Sequence, residues 1–170
     1  MNAKLNKAAL IVSGALTAII CLVMNIVLIP RIESSTEGIK CFDMNFGYSV
    51  ETAKRFLELL SEDGRNIYLN IQLPLDFFYP VAYCTFFVLM LLKFAEKRKA
   101  FIALPILLAI SDYTENICTI IMLKSAEFQP SLAAFASVVT CIKTVLMYIT
   151  ILVIIVLIVI KIKNKKKQTD

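Results

Sequence analysis

Residues 8–29 read AALIVSGALTAIICLVMNIVLI, a run of 22 residues without a charge. A helix needs about 20 apolar residues to cross the hydrocarbon core of a bilayer. Lys4 and Lys7 precede the run, and Pro30-Arg31 is predicted to end it. The run is longer than the apolar core of a signal peptide and offers no small-x-small cleavage site, so it predicts a retained transmembrane helix.

Three further apolar runs repeat this pattern along the chain. They cover residues 73–92, 100–123 and 131–160, and the last is long enough to tilt or to project beyond the bilayer. Over the whole chain 59% of the residues are hydrophobic and 18% are charged, against roughly 25% charged residues in soluble proteins. This composition excludes a soluble enzyme and a disordered chain. The sequence predicts an all-α fold, a polytopic four-transmembrane-helix bundle in which residues 1–170 form a single membrane domain.

The charges between the runs predict how the bundle is oriented. Basic residues predominate before span one, between spans two and three (Lys93, Lys97, Arg98 and Lys99), and in the tail 161–170. The loop 31–72 instead carries five basic and seven acidic residues. The positive-inside rule therefore places both termini in the cytoplasm and the loop 31–72 outside. The basic tail is interpreted as an anchor at the lipid surface, and no nucleic-acid partner is expected because no fold or aromatic context accompanies it.

The outer loop 31–72 is too long to be expected without structure of its own. Ser49 is predicted to cap a helix that runs from Val50 to about Asp63 and ends at Gly64. Its apolar residues share one face, so this amphipathic helix is expected to lie on the bilayer or to cap the bundle. The alternative is a lid over a site between the spans. Residues 65–68 are expected to begin a long helix that continues into span two.

Ionisable and polar residues inside the apolar runs are the strongest functional signal. An exposed charge at the bilayer centre costs about 3 kcal/mol or more, so such residues are expected to face the bundle interior. Helical spacing puts the polar residues of each span on one face, and a rise of about 1.5 Å per residue brings them to the middle and outer part of the core. The predicted ligand-binding set, around an outward-facing cavity, is Asp76, Tyr79, Tyr83, Asp112, Glu115, Asn116 and Lys143.

The charges of this set do not balance. Lys143 is expected to pair with Glu115 or Asp112 because the three share compatible depths. Three carboxylates then face one lysine, which leaves at least one acid that must be protonated, hydrated or bound to a cation. Asp112 is expected to be this protonated acid because it lies nearest the bilayer middle, whereas Asp76 is expected to be ionised near the outer interface.

No motif assigns a chemistry to this cluster. The chain has no histidine, no P-loop, G-x-S-x-G or HExxH motif, and five scattered cysteines without a CxxC pair, so no catalytic residue, metal site or cofactor is predicted. The function expected is binding of a lipid-like or small ligand, or of a protein partner. The alternatives are purely structural interhelical pairing, a proton- or cation-coupled transporter that works as a homo-oligomer, and an intramembrane acid–base enzyme. The charge-free inner halves of the spans argue against a continuous pore.

Overall fold

The computed structural model of the protein describes residues 3–94 and 99–166. Within these two ranges every regular element is a helix, and no strand occurs. Four helical stretches are long and apolar enough to cross a membrane, as the sequence predicts, and they indicate a multi-pass membrane protein. We refer to them as spans one to four, which cover Lys7–Ser35, Glu62–Phe94, Ala100–Lys124 and Pro130–Asn164. Lys97, Arg98 and residues 167–170, used in the charge argument, lie outside the described residues.

Span one continues beyond the proline at which the sequence predicts its end. Helix α1 (Ala3–Val23) leads into a π-helical segment (Met24–Leu28) and then into α2 (Ile29–Ile32), which has Pro30 in its first turn. A proline lacks the N–H group, and in a regular α-helix its ring collides with the carbonyl four residues earlier. The wider π turn removes this conflict, with the Ile29 N–H bonded to the Met24 carbonyl. The predicted end at Pro30 is therefore wrong.

Span two has the same local feature. Helix α4 (Glu62–Ile67) leads into a second π-helical segment (Tyr68–Gln72), and α5 (Leu73–Phe94) follows with Pro74 near its start. The two π-helical segments pack against each other. The long helix into span two is confirmed, although it begins at Glu62 and not at Arg65.

The helix predicted for residues 50–63 is in fact two helices. Helix α3 (Val50–Leu59) ends because the backbone of Leu60 is extended, and Ser61 then caps α4 by accepting a hydrogen bond from the Gly64 N–H at 3.1 Å. Gly64 thus lies inside α4 and does not end α3. The sequence signal for this second start is a serine followed by two acidic residues, a typical first turn of a helix.

Helix α3 covers one end of the bundle. Ser49 caps it as predicted, accepting from the Thr52 N–H at 3.0 Å. On its inner face Phe56 is fully buried, with ring centroids 4.9 Å from Phe42 and 6.3 Å from Tyr68. Helix α3 packs on span four, which is consistent with the predicted position as a cap on the bundle. We call residues 36–61 the first connection and this end of the bundle the capped end.

The remaining helices pack in chain order. Helix α1 lies against α5, α5 against α6 (Ala103–Lys124), and α6 against α7 (Pro130–Lys166), which also contacts α5. Gly14 allows the close approach of α1 to α5, because a Cβ there would lie 2.9 Å from the Phe86 ring. At the end opposite the capped end, which we call the tail end, α5 and α7 bury an apolar cluster centred on Leu91, Ile154 and Leu157.

Helix α7 is much longer than a bilayer is thick. Its 37 residues correspond to roughly 55 Å at the usual helical rise, against about 30 Å of hydrocarbon. The helix continues into the basic tail as far as Lys166. Near that end the Lys161 ammonium donates to the Lys93 carbonyl at 2.9 Å and lies 5.5 Å from the Phe94 ring centroid. The excess length therefore extends α7 beyond its apolar part.

Candidate functional site

Lys143 lies between two carboxylates of span three. Its Nζ is 3.4 Å from Asp112 Oδ1, and it also forms an ion pair with Glu115 Oε2. The side chains of Asp112 and Glu115 are only 5% and 1% exposed. Tyr83 donates to Asp112 Oδ2 at 2.9 Å, and Thr140 donates to Glu115 Oε1. Both acids that the sequence offers as partners of Lys143 are therefore in contact with it.

Asn116 of span three bonds to the backbone of span two and not to a charged side chain. Pro80 lies inside α5 and lacks the N–H that would bond to the Asp76 carbonyl four residues earlier. The Asn116 side-chain amide donates to this carbonyl at 3.3 Å, and the Tyr113 hydroxyl donates to the neighbouring Phe77 carbonyl at 3.0 Å. Span three thus supplies hydrogen bonds to the backbone of span two where the proline interrupts it.

Asp76 differs from the other buried acids. The residue is 4% exposed, and its carboxylate forms neither a hydrogen bond nor an ion pair with any described residue. Asp76 thus lacks the contact with Lys143 that Asp112 and Glu115 share. The assignment of the protonated acid to Asp112 stays a prediction, and in the structure Asp112 has both Lys143 and Tyr83 as partners.

A fourth acid, Asp43, comes from the first connection and was missed by the sequence reasoning. It lies in a short 3-10 turn (Phe42–Met44), and its Oδ1 is enclosed without a hydrogen-bond partner. Burial raises the pKa of the Asp43 carboxyl, and Asp112 adds to this rise while Lys143 opposes it. The available signal was its position between the apolar residues Phe42 and Met44.

Two backbone contacts fix the first connection on span four. The Tyr48 N–H donates to Ser137 Oγ at 2.8 Å, and the Cys141 thiol donates to the Phe46 carbonyl at 2.9 Å. Gly47 lies between them, and a Cβ there would be 2.6 Å from Cys141 Sγ. The close approach therefore requires glycine at this position.

The buried acids and Lys143 lie around a cavity of about 230 Å³, and the lining of this cavity includes residues from all four spans and from the first connection. At about 30 Å³ for each water molecule, this volume suits a small molecule or part of a larger one. Of the predicted set, Asp76, Tyr79, Asp112 and Lys143 line the cavity, and Asp43 joins them. The other members of the set, Tyr83, Glu115 and Asn116, contact these residues or their backbone but are not part of the lining.

Three of the lining residues are exposed, so the cavity opens to the surface. They are Asn25 of span one, Met44 of the first connection and Tyr148 of span four, which is 67% exposed. The surface beside them is apolar, with exposed Leu22 and Ile26 on span one and exposed Leu152 on span four. Asp43 and Met44 of the first connection also contribute to the lining, and the outward-facing opening that the sequence predicts stays a prediction.

The cysteines contribute no second site. All five are free thiols. Cys41, in the first connection, is fully buried, and burial raises the pKa of its thiol, which keeps it protonated and unreactive. Among the described residues no three Asp, Glu, Cys or His side chains converge in a way that could bind a metal ion. The cavity and its acids are therefore the candidate functional site.

Comparison of the chain with models of protein families, with curated proteins and with solved structures gives no match in any of the three. Its function is therefore argued from the chemistry of the site.

Proposed function

We propose that the protein binds a small, lipid-like ligand that enters the cavity from the membrane, between spans one and four. The observation that carries this proposal is that the lining residues Asn25 and Tyr148 are exposed on spans one and four, where a mouth would be bordered by the exposed apolar residues Leu22, Ile26 and Leu152. A molecule dissolved in lipid reaches such a mouth without crossing water. Concave sites with mostly apolar walls and a few convergent polar groups are typical of small-molecule binding.

The proposal includes the orientation expected from the charges. With both termini in the cytoplasm, the first connection and the capped end lie outside, and the basic end of α7 lies inside. The cavity, which Asp43 and Met44 help to line, is then in the outer half of the bilayer. A ligand from the outer leaflet then has a shorter path to the cavity than a ligand from the inner leaflet.

Transport is the second candidate, and the packing at the tail end argues against it. Below the cavity, Leu91, Ile154 and Leu157 form an apolar cluster together with partly buried Phe87, Phe94 and Phe101. A ligand leaving toward the cytoplasm would have to separate α5 from α7 at this cluster. Binding without transport needs no such opening, and so we favour it.

The experiment that tests the binding proposal compares two neighbouring substitutions in span four. Thr144 lines the cavity, and Val145 is exposed on the outside of the same helix. We expect a molecule from the native membrane to remain with the purified wild-type protein and with Val145→Phe, and to be lost from Thr144→Phe, whose ring fills the cavity. The retained molecules are extracted and identified by mass spectrometry. Equal retention by the two variants, or nothing retained beyond bulk lipid, would contradict the proposal.

A further inference from the structure

The acids around the cavity outnumber the cations. Among the cavity-lining residues Lys143 is the one lysine or arginine, and Asp43, Asp76 and Asp112 are all in the same lining. Lys143 is already engaged by Asp112 and by Glu115. The cavity therefore has unbalanced acids, and a low-dielectric site favours whatever compensates them.

Two of these acids have free acceptors. The buried Asp76 carboxylate has no partner among the described residues, and Asp43 Oδ1 is enclosed without one. A buried polar oxygen without a hydrogen bond is unfavourable, so the Asp76 carboxylate gains from a donor inside the cavity, and Asp43 in the same lining adds negative charge beside it. Asp76 belongs to span two and Asp43 to the first connection, so the two acids reach the cavity lining from different parts of the chain.

The rest of the lining suits an organic body. Met24, Ile29 and Met147 supply apolar surface, and Tyr79 and Tyr148 supply aromatic faces, which attract cations through their π-systems. A bare metal ion would use none of these groups, and no set of metal ligands converges in the described part of the chain. The lining thus combines acceptors for a positively charged donor with room for an apolar group beside it.

We propose that the ligand is an organic ammonium ion, an amine or amine-bearing lipid whose N–H groups donate to Asp76 and Asp43 while its apolar part lies against Met24, Ile29 and Met147. This inference rests on the proposed binding function and specifies the chemical class of the ligand. The ammonium compensates one of the negative charges that Lys143 leaves over, and the apolar part remains on the side from which it entered.

The test uses three probes of matched shape on the purified full-length chain in a neutral detergent. Phenethylammonium has an ammonium group where propylbenzene has a methyl group, and 3-phenylpropanoate has a carboxylate. By isothermal titration calorimetry at pH 7 we expect phenethylammonium to bind at least tenfold more tightly than propylbenzene, and 3-phenylpropanoate to bind least. Asp76→Asn and Asp43→Asn should each reduce this preference, and Asp63→Asn should leave it unchanged because Asp63 is an exposed acid outside the cavity.

The outcomes separate this inference from the binding function. If propylbenzene or the carboxylate binds as tightly as the ammonium, the charge inference is overturned while the cavity still binds ligands. If the preference survives Asp76→Asn in full, the assignment of the ammonium to Asp76 is overturned. If none of the three probes binds to the wild-type protein, the binding function and this inference fail together. Thermal unfolding of each variant verifies that it is folded.

Discussion

At the scale of single residues, Lys143 forms the ionic link between spans three and four. Lys143→Met would leave Asp112 and Glu115 as buried carboxylates without a cation, which we expect to cost about 3–5 kcal/mol of unfolding free energy. Adding Glu115→Gln should recover part of this loss, and so should adding Asp112→Asn. Chemical unfolding in detergent, read as a double-mutant cycle, measures each coupling.

Lys54 provides the control for this cycle. It pairs with Glu58 at 3.7 Å on the exposed side of α3, with both side chains more than half exposed. Exposed pairs contribute about 1 kcal/mol or less, so Lys54→Met should change stability little. The prediction fails if the effect of Lys143→Met on stability is strictly additive with that of Glu115→Gln and also with that of Asp112→Asn. The buried pairs would then not contribute to stability.

The contrast between Lys143 and Asp43 shows which residue contacts can be predicted. Lys143, Asp112 and Glu115 lie in helices, where spacing and depth follow from the sequence. Asp43 lies in a connection, and its position depends on hydrogen bonds from Tyr48 to Ser137 and from Cys141 to Phe46, which no local pattern indicates. The predicted cavity therefore lacked one of its acids.

At the scale of elements, the same reasoning applies to the helix ends. Apolar length and capping residues predicted the four spans and the start of α3 at Ser49. The π-helical segments before Pro30 and Pro74 could not be predicted, since proline in a sequence ordinarily indicates the end or a kink of a helix. Their mutual contact requires the packed arrangement of spans one and two, which is a tertiary effect.

Docking of the first connection on α7 depends on Gly47. Gly47→Val would place a Cβ 2.6 Å from Cys141 Sγ, so residues 46–48 must shift away from α7. We expect the amide of Tyr48 to exchange with deuterium faster, and stability to fall by about 1–3 kcal/mol, the usual range for overpacking. Hydrogen exchange of this segment, measured by mass spectrometry, reports the change.

A second substitution provides the control for Gly47. Cys141→Ala removes the sulfur that the added side chain would contact, together with its hydrogen bond to Phe46, so the reference is Cys141→Ala alone. Gly47→Val should accelerate exchange less in the Cys141→Ala background than in the wild type, and an equal acceleration in both would mean that the strain at Gly47 arises elsewhere. Unchanged exchange in Gly47→Val would mean that the segment adapts without undocking.

At the scale of the whole molecule, the four apolar runs predicted a four-helix membrane bundle, because an apolar run of this length has few other stable structures. The part of the cavity lining that the first connection supplies could not be predicted in the same way. It depends on which spans are neighbours, with α1 packed on α5 and α7 packed on α6, and on the first connection lying over the capped end. The sequence therefore indicated the cavity residues of the spans better than those of their connections.

The orientation of the molecule determines which leaflet supplies the ligand, and it can be measured directly. Ser34, Lys7 and Lys163 are exposed near the ends of spans one and four. With all five native cysteines replaced, we expect a membrane-impermeant maleimide to label Ser34→Cys in intact cells. Lys7→Cys and Lys163→Cys should be labelled only after permeabilisation, since basic residues remain on the cytoplasmic side. If Lys7→Cys and Lys163→Cys are labelled in intact cells and Ser34→Cys is not, the orientation is the opposite of the one proposed. If only one of Lys7→Cys and Lys163→Cys is labelled in intact cells, the chain cannot cross the membrane four times.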